Sequence, residues 1–287
     1  MKKIISIIIV NYKSTNKTLN FIKDIPNKYE IIIVDNSNNG ELSKKIKRKK
    51  KIKIINIKNN GYGNAINEGR KKINTKYFFA FSPDLKGINK NFFIKFENAI
   101  KSKLEFGVIG PRFLKVTEKS HNQSNIKYKI GKIHAIAGSA MLFNTKAFDA
   151  IGGFDNKIFL FFEENDLCLR LTKKNYKIYQ LNNAKVYHPK GLKKGVVKVN
   201  KNDEYEKLKN FYGYHYMWSK FYHFKKNKLS YLAYLFFLPI ILKMILRVLC
   251  YIIINSKVKK RKYLMRLNGL ISSMLSQPSS KRLDLNS

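Results

Sequence analysis

The sequence contains few cysteines and few acidic residues, and both shortages limit what the chain can be. Its two cysteines, Cys168 and Cys250, lie in apolar helical contexts, which favours reduced thiols in a cytosolic compartment over a disulfide. Against 58 Lys and Arg residues there are 18 Asp and Glu, a formal net charge of +40. Lysine is spread along the whole chain, as a general enrichment in Lys, Ile and Asn would produce. A functional cause would be an anionic partner, namely a nucleic acid, an acidic lipid or a phosphorylated substrate.

The N-terminus, with two lysines before an apolar run, imitates a signal peptide but is interpreted as a strand. The apolar run at residues 4–10 is short, and Asn11, Tyr12 and Lys13 follow it instead of a small-residue cleavage site. We therefore predict a buried first strand. The hydrophobic content of 44% also excludes a disordered chain.

Polar residues follow the first predicted strands. Nearly continuous β-branched and apolar runs are typical of parallel strands covered on both faces, and such runs occupy residues 4–10, 30–37, 52–57 and 76–84. Ligands bind at the carboxyl ends of parallel strands, where Asn11, Tyr12 and Asp35 lie. A simple turn role is the alternative for Asp35.

Asp84 follows the fourth strand, because Pro83 cannot donate to a strand ladder and ends the pairing. A single carboxylate of this kind is half of a minimal site for Mg²⁺ or Mn²⁺, which also takes oxygen atoms from substrate phosphates. Between the third and fourth strands, Asn60, Gly61, Gly63 and Asn64 precede or begin a helix, where a ligand can approach the backbone closely and anions are favoured. By themselves these residues also fit an ordinary Asn-Gly turn.

An acidic cluster begins a helix at Glu163. Glu164 shares a helical face with Leu167, Cys168 and Leu171, so its carboxylate should be partly desolvated and suited to act as a general base. Glu163 and Asp166 lie on another face. They are candidates for a catalytic role or, alternatively, for completing the helix dipole, with Asp166 paired to Arg170.

Three further regions complete the candidate site. Gly138, Ser139 and Ala140 are small residues within a strand predicted at 134–143, where they leave room for a ligand or allow tight packing. Residues 115–132 are polar and poorly patterned, which predicts a flexible loop that could act as a lid. His188, after short strands near 177–180 and 184–187, is either a surface histidine or a metal or phosphate contact.

The C-terminal part is helical and strongly apolar. An aromatic-rich helix is predicted at 203–224, and residues 229–254 are the most apolar part of the chain. Lys243 and Arg247 lie on one side of that apolar helix and a basic run follows it, which favours a helix lying in the plane of an anionic membrane. A buried core helix, a dimer helix and a membrane-spanning helix are the alternatives.

Seven segments resemble family 2 glycosyltransferases in order and approximate spacing, and the closest resemblance is to the rhamnosyltransferase-like branch. They are Ile7-Ile8-Ile9-Val10-Asn11-Tyr12, Ile33-Val34-Asp35-Asn36-Ser37, Asn59-Asn60-Gly61-Tyr62-Gly63, Ser82-Pro83-Asp84, Gly138-Ser139-Ala140, Gly152-Gly153-Phe154-Asp155 and Phe162-Glu163-Glu164-Asn165-Asp166-Leu167. The resemblance covers about residues 3–195.

The resemblance implies a role for each group of residues. Asp35 would contact the nucleobase, with Tyr12 nearby, and Asp84 would hold a divalent metal on the donor diphosphate. Glu164 would be the catalytic base, His188 would lie near the pyrophosphate or the metal, and Gly138 and Ser139 would line the acceptor side. Two residues depart from the pattern. Ser82 stands where the first acid of the metal motif often is, and Glu164 stands where Asp is commoner.

These observations predict an α/β chain of GT-A (Rossmann-like) type with a mixed, mostly parallel sheet flanked by helices. The catalytic domain would span residues 1–200, and a helical, membrane-associating appendage would span 201–287. The implied activity is inverting transfer of rhamnose or another hexose from a nucleotide-sugar donor to a glycan acceptor, expected to be lipid-linked, in cell-surface polysaccharide synthesis.

The expected cofactor is Mg²⁺ or Mn²⁺. The expected location is the cytoplasm, peripheral on the inner face of the cell membrane, with a homodimer as a further expectation and no nucleic-acid partner. The alternatives are a nucleotidyltransferase on a related sheet and a non-enzymatic protein that binds anions or nucleic acid. The residues around Glu163 and at 152–155 speak against the first. The diffuse basic charge, without a recognised motif, speaks against the second.

Overall fold

A computed structural model describes residues 4–46, 51–114, 123–188, 202–228, 230–279 and 281–282. The chain divides into two compact units. The sheet unit comprises Met1–Asn156 and Glu163–Pro189, and the helical unit comprises Lys157–Phe162 and Lys190–Ser287. Residues 157–162 pack with the C-terminal helices in this division, and the domain boundary at residue 200 stays a prediction.

The sheet unit is built on one sheet of eight strands in the order β3-β2-β1-β4-β7-β5-β8-β6. The strands are β1 Ile5–Asn11, β2 Glu30–Asp35, β3 Ile52–Asn56, β4 Tyr77–Phe81, β5 Val108–Phe113, β6 Ile130–Lys132, β7 Ala140–Asn144 and β8 Ile178–Val186. β1 to β4 run parallel to one another, as does the pair β5 and β8, whereas β7 and β6 are antiparallel to their neighbours. The mixed, mostly parallel sheet expected from the sequence is therefore confirmed.

Helices cover both faces of the sheet, and the apolar strands are buried accordingly. In the described ranges of this unit the helices are α1 Thr15–Lys23, α2 Glu41–Lys45, α3 Tyr62–Arg70, α4 Lys90–Lys101, α5 Thr145–Ala150 and α6 Glu163–Lys173. Successive residues of β1 alternate between two apolar clusters, with Ile7 and Ile9 in one and Ile8 in the other. This alternation is the two-residue period of a strand, and full burial on both faces explains why the strand lacks a polar side.

Three local predictions need correction. Residues 130–132 form β6, and Ser124 bonds to Gln180 and Asn182 of β8, so the described part of the expected loop at 115–132 is anchored, while 115–122 lie outside the described residues. The strand expected at 134–143 begins only at Ala140. The two short strands expected near 177–187 are one strand, β8, because pairing with β5 continues across a register shift.

The described part of the helical unit contains three helices: α7 Asn202–Asn227, α8 Ser230–Ile253 and α9 Lys257–Met274. One face of α8, including Ala233, Phe237 and Met244, packs with side chains of α7 and α9 in a common apolar cluster. The helix predicted at 203–224 is therefore slightly longer than expected. The basic run that begins at residue 257 forms the first part of α9.

Asn67 of α3 holds the turn at residues 152–155 against the sheet unit. Its amide nitrogen donates to the Phe154 carbonyl at 2.9 Å and to Asn156 Oδ1 at 2.8 Å, and its Oδ1 accepts from the Phe154 amide at 2.9 Å. Gly153 has a positive φ of 69°, and a Cβ there would lie 2.5 Å from Asn67 Oδ1. The close approach and the positive φ explain the glycine at 153, and a positive φ of 71° explains the one at 152.

Asn67→Ala should lower the free energy of unfolding by about 1–3 kcal/mol, because it leaves buried backbone groups of the turn without partners. Chemical denaturation of the full chain measures this change. Glu68→Ala is the matched control on the next residue: it removes only an exposed pair with Lys71 and should change stability by about 0.5 kcal/mol or less. Equal effects of the two substitutions would contradict this account of the turn.

Candidate active site

The predicted site residues gather at one edge of the sheet. Asn11 and Asp35 end β1 and β2 and face each other in register. Asp84 follows β4. Because β7 runs antiparallel to β4, the residues before β7 return to the same edge, where the Ser82 amide donates to the Ser139 carbonyl at 2.9 Å. His188 follows β8 and completes the edge.

Asn11 and Asp35 form a buried polar pair. Both side chains are fully buried, and Asn11 Nδ2 donates to Asp35 Oδ1 at 2.8 Å. The hydroxyls of Ser14 and Thr18 donate to Asn11 Oδ1 at 2.9 and 2.8 Å, so Ser14, at the N-cap position of α1, bonds to Asn11 instead of capping the helix. Asp35 Oδ2 is buried and has no hydrogen-bond partner among the described residues, which leaves it available to a ligand.

In the glycine-containing segment at the start of α3, some residues pack within the protein and others face solvent. Gly61 has a positive φ of 103°, and its amide donates to Asn59 Oδ1 at 3.1 Å; Asn60 beside it is exposed. Gly63 instead packs against Phe154, whose ring would lie 2.9 Å from a Cβ at this position. Asn64 donates to Asn156 Oδ1 at 3.1 Å. Gly63 and Asn64 thus have structural partners, Gly61 is buried with its amide bonded to Asn59, and the exposed Asn60 can meet a ligand.

Asp84 lies among groups that favour its ionised form. Its carboxylate accepts from Ser82 Oγ at 2.7 Å and lies 3.3 Å from His188 Nε2. Burial raises the pKa of Asp84, but His188, Ser82 and the positive charge of Lys17 outweigh it and hold the pKa below its ordinary value. Lys17 carried no signal in the sequence, since lysine is spread along the whole chain.

Asp84 and His188 fit a divalent metal as a partial set of ligands. The ionised Asp84 carboxylate and the His188 imidazole lie 3.3 Å apart, just beyond the carboxyl ends of β4 and β8. No group of three or more His, Cys, Asp or Glu side chains suited to a metal occurs in the described part of the chain. The remaining ligands would therefore have to come from substrate phosphates and water, as is usual for Mg²⁺.

The first turn of α6 holds two desolvated carboxylates. Glu163 is buried to 7% exposure, and its Oε2 has no hydrogen-bond partner in the described structure. Burial raises the pKa of Glu163 well above its ordinary value, and repulsion from Glu164 raises it further. Burial also raises the pKa of Glu164, as its apolar neighbours predicted, but the stronger burial of Glu163 was not foreseen.

Tyr62 joins the two sides of the site. Its hydroxyl donates to the Gly138 carbonyl at 2.9 Å. Burial raises the pKa of Tyr62, and the negative charges of Glu163, Asp84 and Glu164 raise it further. The hydroxyl of Tyr62 thus bonds to the segment before β7, and the strand-end and helix-start carboxylates are near enough to affect its pKa. Sequence reasoning missed Tyr62 as a site residue, although its place between two glycines before a helix was a usable signal.

The other candidate residues differ in their surroundings. Gly138 adjoins the base, since a Cβ there would lie 3.7 Å from the Glu164 carboxyl carbon. Ala140 is fully buried within β7, which is a packing position. Asp166 is also fully buried and binds Arg170 Nε at 2.8 Å, and Arg170 in turn donates to the Ile151 carbonyl. Tyr12 is 37% exposed beside the edge.

A large open cleft of about 1650 Å³ lies at the opposite edge of the sheet, lined by residues such as Tyr77, Phe106 and Lys177. It contains none of the candidate site residues. Its size alone does not make it the active site, because the carboxylates with perturbed pKa values lie at the other edge.

Two family models match the chain. The model described as glycosyl transferase family 2 matches residues 6–152, and the model described as the N-terminal domain of galactosyltransferase matches residues 118–192. A curated relative, the low-salt glycan biosynthesis hexosyltransferase Agl10 of Haloferax volcanii, is 28% identical over 198 residues, which are 61% of this chain and 64% of the relative. The match thus spans less than two thirds of the relative's length.

Solved structures share the fold. A mannosyltransferase from Pyrobaculum calidifontis, in complex with GDP-Man and Mn²⁺, has a TM-score of 0.59 at 10% identity, covering 95% of this chain and 87% of the other. GalNAc-T7 with UDP, GalNAc and Mn²⁺ has a TM-score of 0.53 at 15% identity, with coverages of 74% and 50%. Residues 1–349 of S. aureus TarS with UDP-GlcNAc give 0.51 at 15% identity, with coverages of 96% and 92%. The GT-A fold expected from the sequence is thereby confirmed.

Glu163→Gln should make stability less dependent on pH. A carboxyl whose folded pKa is raised holds a proton that the unfolded chain releases above its ordinary pKa of 4.5. Its contribution to stability is therefore full below that pH and is lost as pH rises towards the folded pKa, by about 1.4 kcal/mol per pH unit.

Denaturation at a series of pH values measures this effect. Glu163→Gln should be more stable relative to the wild type at pH 8 than at pH 4.5, whereas Glu68→Gln, at a surface carboxylate paired with Lys71, should show no such trend. A constant difference between Glu163→Gln and the wild type at all pH values would count against a raised pKa.

Proposed function

The chain belongs to glycosyl transferase family 2, and we propose that it transfers a hexose from a nucleotide-sugar donor to a glycan acceptor by a single displacement that inverts the anomeric carbon. The curated relative is a hexosyltransferase of glycan biosynthesis, which supports a hexosyl donor over the alternatives of a nucleotidyltransferase or a non-enzymatic binder. Rhamnose is among the donors that this proposal includes.

One observation carries the proposal: the Gly138–Ser139 segment connects the two carboxylates. A Cβ at Gly138 would lie 3.7 Å from the Glu164 carboxyl carbon, and the Ser139 carbonyl accepts from the amide of Ser82, whose hydroxyl binds Asp84 at 2.7 Å. Sugar transfer needs a place for a diphosphate and a base for an acceptor hydroxyl on either side of one anomeric carbon. An ionised strand-end carboxylate and a desolvated helix-start carboxylate, linked through residues 138–139, provide these two sides.

The donor would lie along the strand ends. Asp35 Oδ2, buried without a partner in the described structure, is the acceptor we assign to the nucleobase, with Tyr12 and the backbone near Gly61 beside it. Asp84 and His188 would hold Mg²⁺ or Mn²⁺, which when bound neutralises charge on the departing diphosphate. The Mn²⁺ present with GDP-Man in the mannosyltransferase from Pyrobaculum calidifontis supports this assignment. Lys17 adds a positive charge near Asp84.

Glu164 would take the proton. The acceptor hydroxyl oxygen forms a bond to the anomeric carbon, the bond from that carbon to the diphosphate oxygen breaks, and the hydroxyl proton passes to the Glu164 carboxylate. Burial and the repulsion from Glu164 favour a proton on Glu163, so Glu164 is the member of the pair left ionised. Its raised pKa makes it a stronger base than an exposed glutamate.

Glu164→Gln should lower kcat for transfer by about 10²–10⁴-fold, because the amide cannot accept the proton. Its binding of donor should stay within about twofold of the wild type. Asp84→Ala should instead abolish the thermal stabilisation that UDP-, GDP- or dTDP-sugars give in the presence of Mn²⁺, since it removes the charge that holds the metal.

Nucleoside diphosphate release and a thermal-shift screen measure the two effects. Glu105→Gln, at an exposed acid in the cleft of the opposite edge, is the control and should behave as the wild type. Unchanged transfer in Glu164→Gln, or no diphosphate release by the wild type with any donor, would refute the proposed function.

The acceptor is proposed to be lipid-linked because α8 exposes an apolar stripe. Of the helices in the described ranges, α8 alone is long and apolar enough to cross a membrane by length and composition, and 11% of its most apolar window is buried. Leu235, Leu242, Leu246, Leu249 and Ile253 are each more than half exposed. Spacings of three, four and seven place them on one side of the helix, away from Ala233, Phe237 and Met244 in the packed cluster.

An anionic bilayer is the partner that fits this stripe. Ile253 and Ile254, at 85% and 67% exposure, end α8 next to Lys257, Lys259 and Arg261 of α9, which are exposed as well. Apolar side chains beside basic ones are typical of a helix lying in a membrane interface. This arrangement supports an in-plane position at the cytoplasmic face and a sugar acceptor carried on a lipid.

Leu246→Glu should weaken binding to phosphatidylglycerol vesicles at least about tenfold, because it places a charge in the apolar stripe. Vesicle sedimentation of the full chain measures this. Ile126→Glu, which adds the same charge at another exposed isoleucine (58%) in the sheet unit, should leave binding unchanged. Equal sedimentation of both variants, or equal binding to phosphatidylcholine vesicles, would contradict an anionic interfacial helix.

A further inference from the structure

Tyr62 is held in the first turn of α3, a helix that packs closely against the rest of the sheet unit. A Cβ at Gly63, the next residue, would lie 2.9 Å from the Phe154 side chain. Near the other end of the helix, a Cβ at Gly69 would lie 2.7 Å from Ile8 Cγ2 of β1. Close packing at both ends of α3 therefore fixes the place from which the Tyr62 ring extends.

The Tyr62 hydroxyl reaches the segment that enters β7. It donates to the Gly138 carbonyl at 2.9 Å, although the two residues are 76 positions apart in the sequence. Burial raises its pKa, and the negative charges of Glu163, Asp84 and Glu164 raise it further. The hydroxyl therefore keeps the proton that this bond needs throughout the neutral pH range.

The segment that Tyr62 holds adjoins both sides of the candidate site. A Cβ at Gly138 would lie 3.7 Å from the Glu164 carboxyl carbon. At the next residue, the Ser139 carbonyl accepts from the Ser82 amide at 2.9 Å, and the Ser82 hydroxyl binds Asp84 at 2.7 Å. Two consecutive residues thus link the side of the proposed base to the side of the proposed metal.

We propose that the Tyr62 hydroxyl is a positioning group for sugar transfer: by holding the Gly138 carbonyl, it fixes the space beside the base in which the acceptor hydroxyl must lie. Gly138 has no side chain to restrict its backbone, and rotation there would change that space. The hydrogen bond from Tyr62 restrains the rotation. All of these residues lie in the sheet unit. The proposal rests on the proposed function for the role of Glu164.

A role in packing alone would need only the ring of Tyr62. The ring packs against the apolar cluster that contains Ile8, Val34 and Phe154, and a phenylalanine could make the same contacts. A buried hydroxyl costs free energy unless it is hydrogen-bonded, and here its partner is the backbone carbonyl beside the proposed base. The contribution of the hydroxyl can therefore be measured separately from that of the ring.

Tyr62→Phe removes the hydroxyl and keeps the ring. We expect kcat for transfer to fall at least about tenfold, because a small misplacement of the acceptor relative to the base is enough to lower the rate. The KM for the nucleotide sugar should stay within about twofold of the wild-type value, since the contacts assigned to the donor are unchanged. Steady-state kinetics of nucleoside diphosphate release measure both constants.

Tyr29→Phe is the matched control in the same unit. Tyr29 is also buried, and its hydroxyl donates to Glu97 at 2.8 Å, a carboxylate that also pairs with Lys28. Removing this hydroxyl should leave kcat within about twofold of the wild type. Full activity of Tyr62→Phe, or an equal loss of kcat in Tyr29→Phe, would overturn the proposal.

The Glu164→Gln background tests whether the hydroxyl acts through the base. Groups that act as a unit have non-additive effects on kcat. Tyr62→Phe should therefore lower kcat by less than about twofold when Glu164 is already glutamine. An equal fold-loss in the Glu164→Gln and wild-type backgrounds would contradict positioning of the acceptor beside the base.

Hydrogen–deuterium exchange separates this proposal from the proposed function. The Ser82 amide, which is bonded to the Ser139 carbonyl, should exchange at least about fivefold faster in Tyr62→Phe than in the wild type or in Tyr29→Phe. If the wild type transfers no sugar, the proposed function fails, while faster exchange still supports control of residues 138–139 by Tyr62. Unchanged exchange of this amide in Tyr62→Phe would overturn that control whatever the activity.

Discussion

The removal of water from Glu163 and Glu164 is the interaction on which the chemistry of the site depends. Two carboxylates at one helix start repel each other and lose hydration together, so the pair favours holding one proton. Glu163 is the more deeply buried of the two, and Glu164, the proposed base, lies beside Gly138. The same acids on an exposed helix would only complement its dipole. Burial of the first turn of α6 therefore separates this pair from an ordinary helix start.

The opposite side of the site depends on charge rather than on desolvation. Asp84 is also removed from water, but Ser82, His188 and Lys17 lower its pKa below the ordinary value, so it stays ionised beside a position suited to a cation. At one edge of the sheet, the pKa of Asp84 is therefore lowered while the pKa values of Glu163 and Glu164 are raised. This separation of pKa values is what acid–base and metal roles require of neighbouring groups. The charges of both kinds of carboxylate raise the pKa of Tyr62.

Much of the fold followed from local patterns. The continuous apolar runs predicted buried strands, and the acids after β2 and β4 predicted the edge at which ligands would bind, because side-chain period and strand polarity are local properties. Seven ordered motifs then pointed to the family that the comparison supports. Sequence reasoning was weaker where pairing is long-range: β6 and the continuous β8 were missed, and α9 was read only as a basic run. The strands that pair with β6 and β8, and the helices that pack on α9, are distant from them in sequence.

The sequence by itself determined the residue types of the site and the side of the sheet that carries them, since both depend on neighbours within a few positions. Only the tertiary structure decided three other features. The antiparallel insertion of β7 beside β4 brought Gly138 to Tyr62. Packing buried Glu163 more deeply than Glu164. The rings of α7 hold the phenylalanines at 161–162 in left-handed angles that no local preference would select. Burial and backbone strain arise from groups distant in sequence, so neither can be read from the residues beside them.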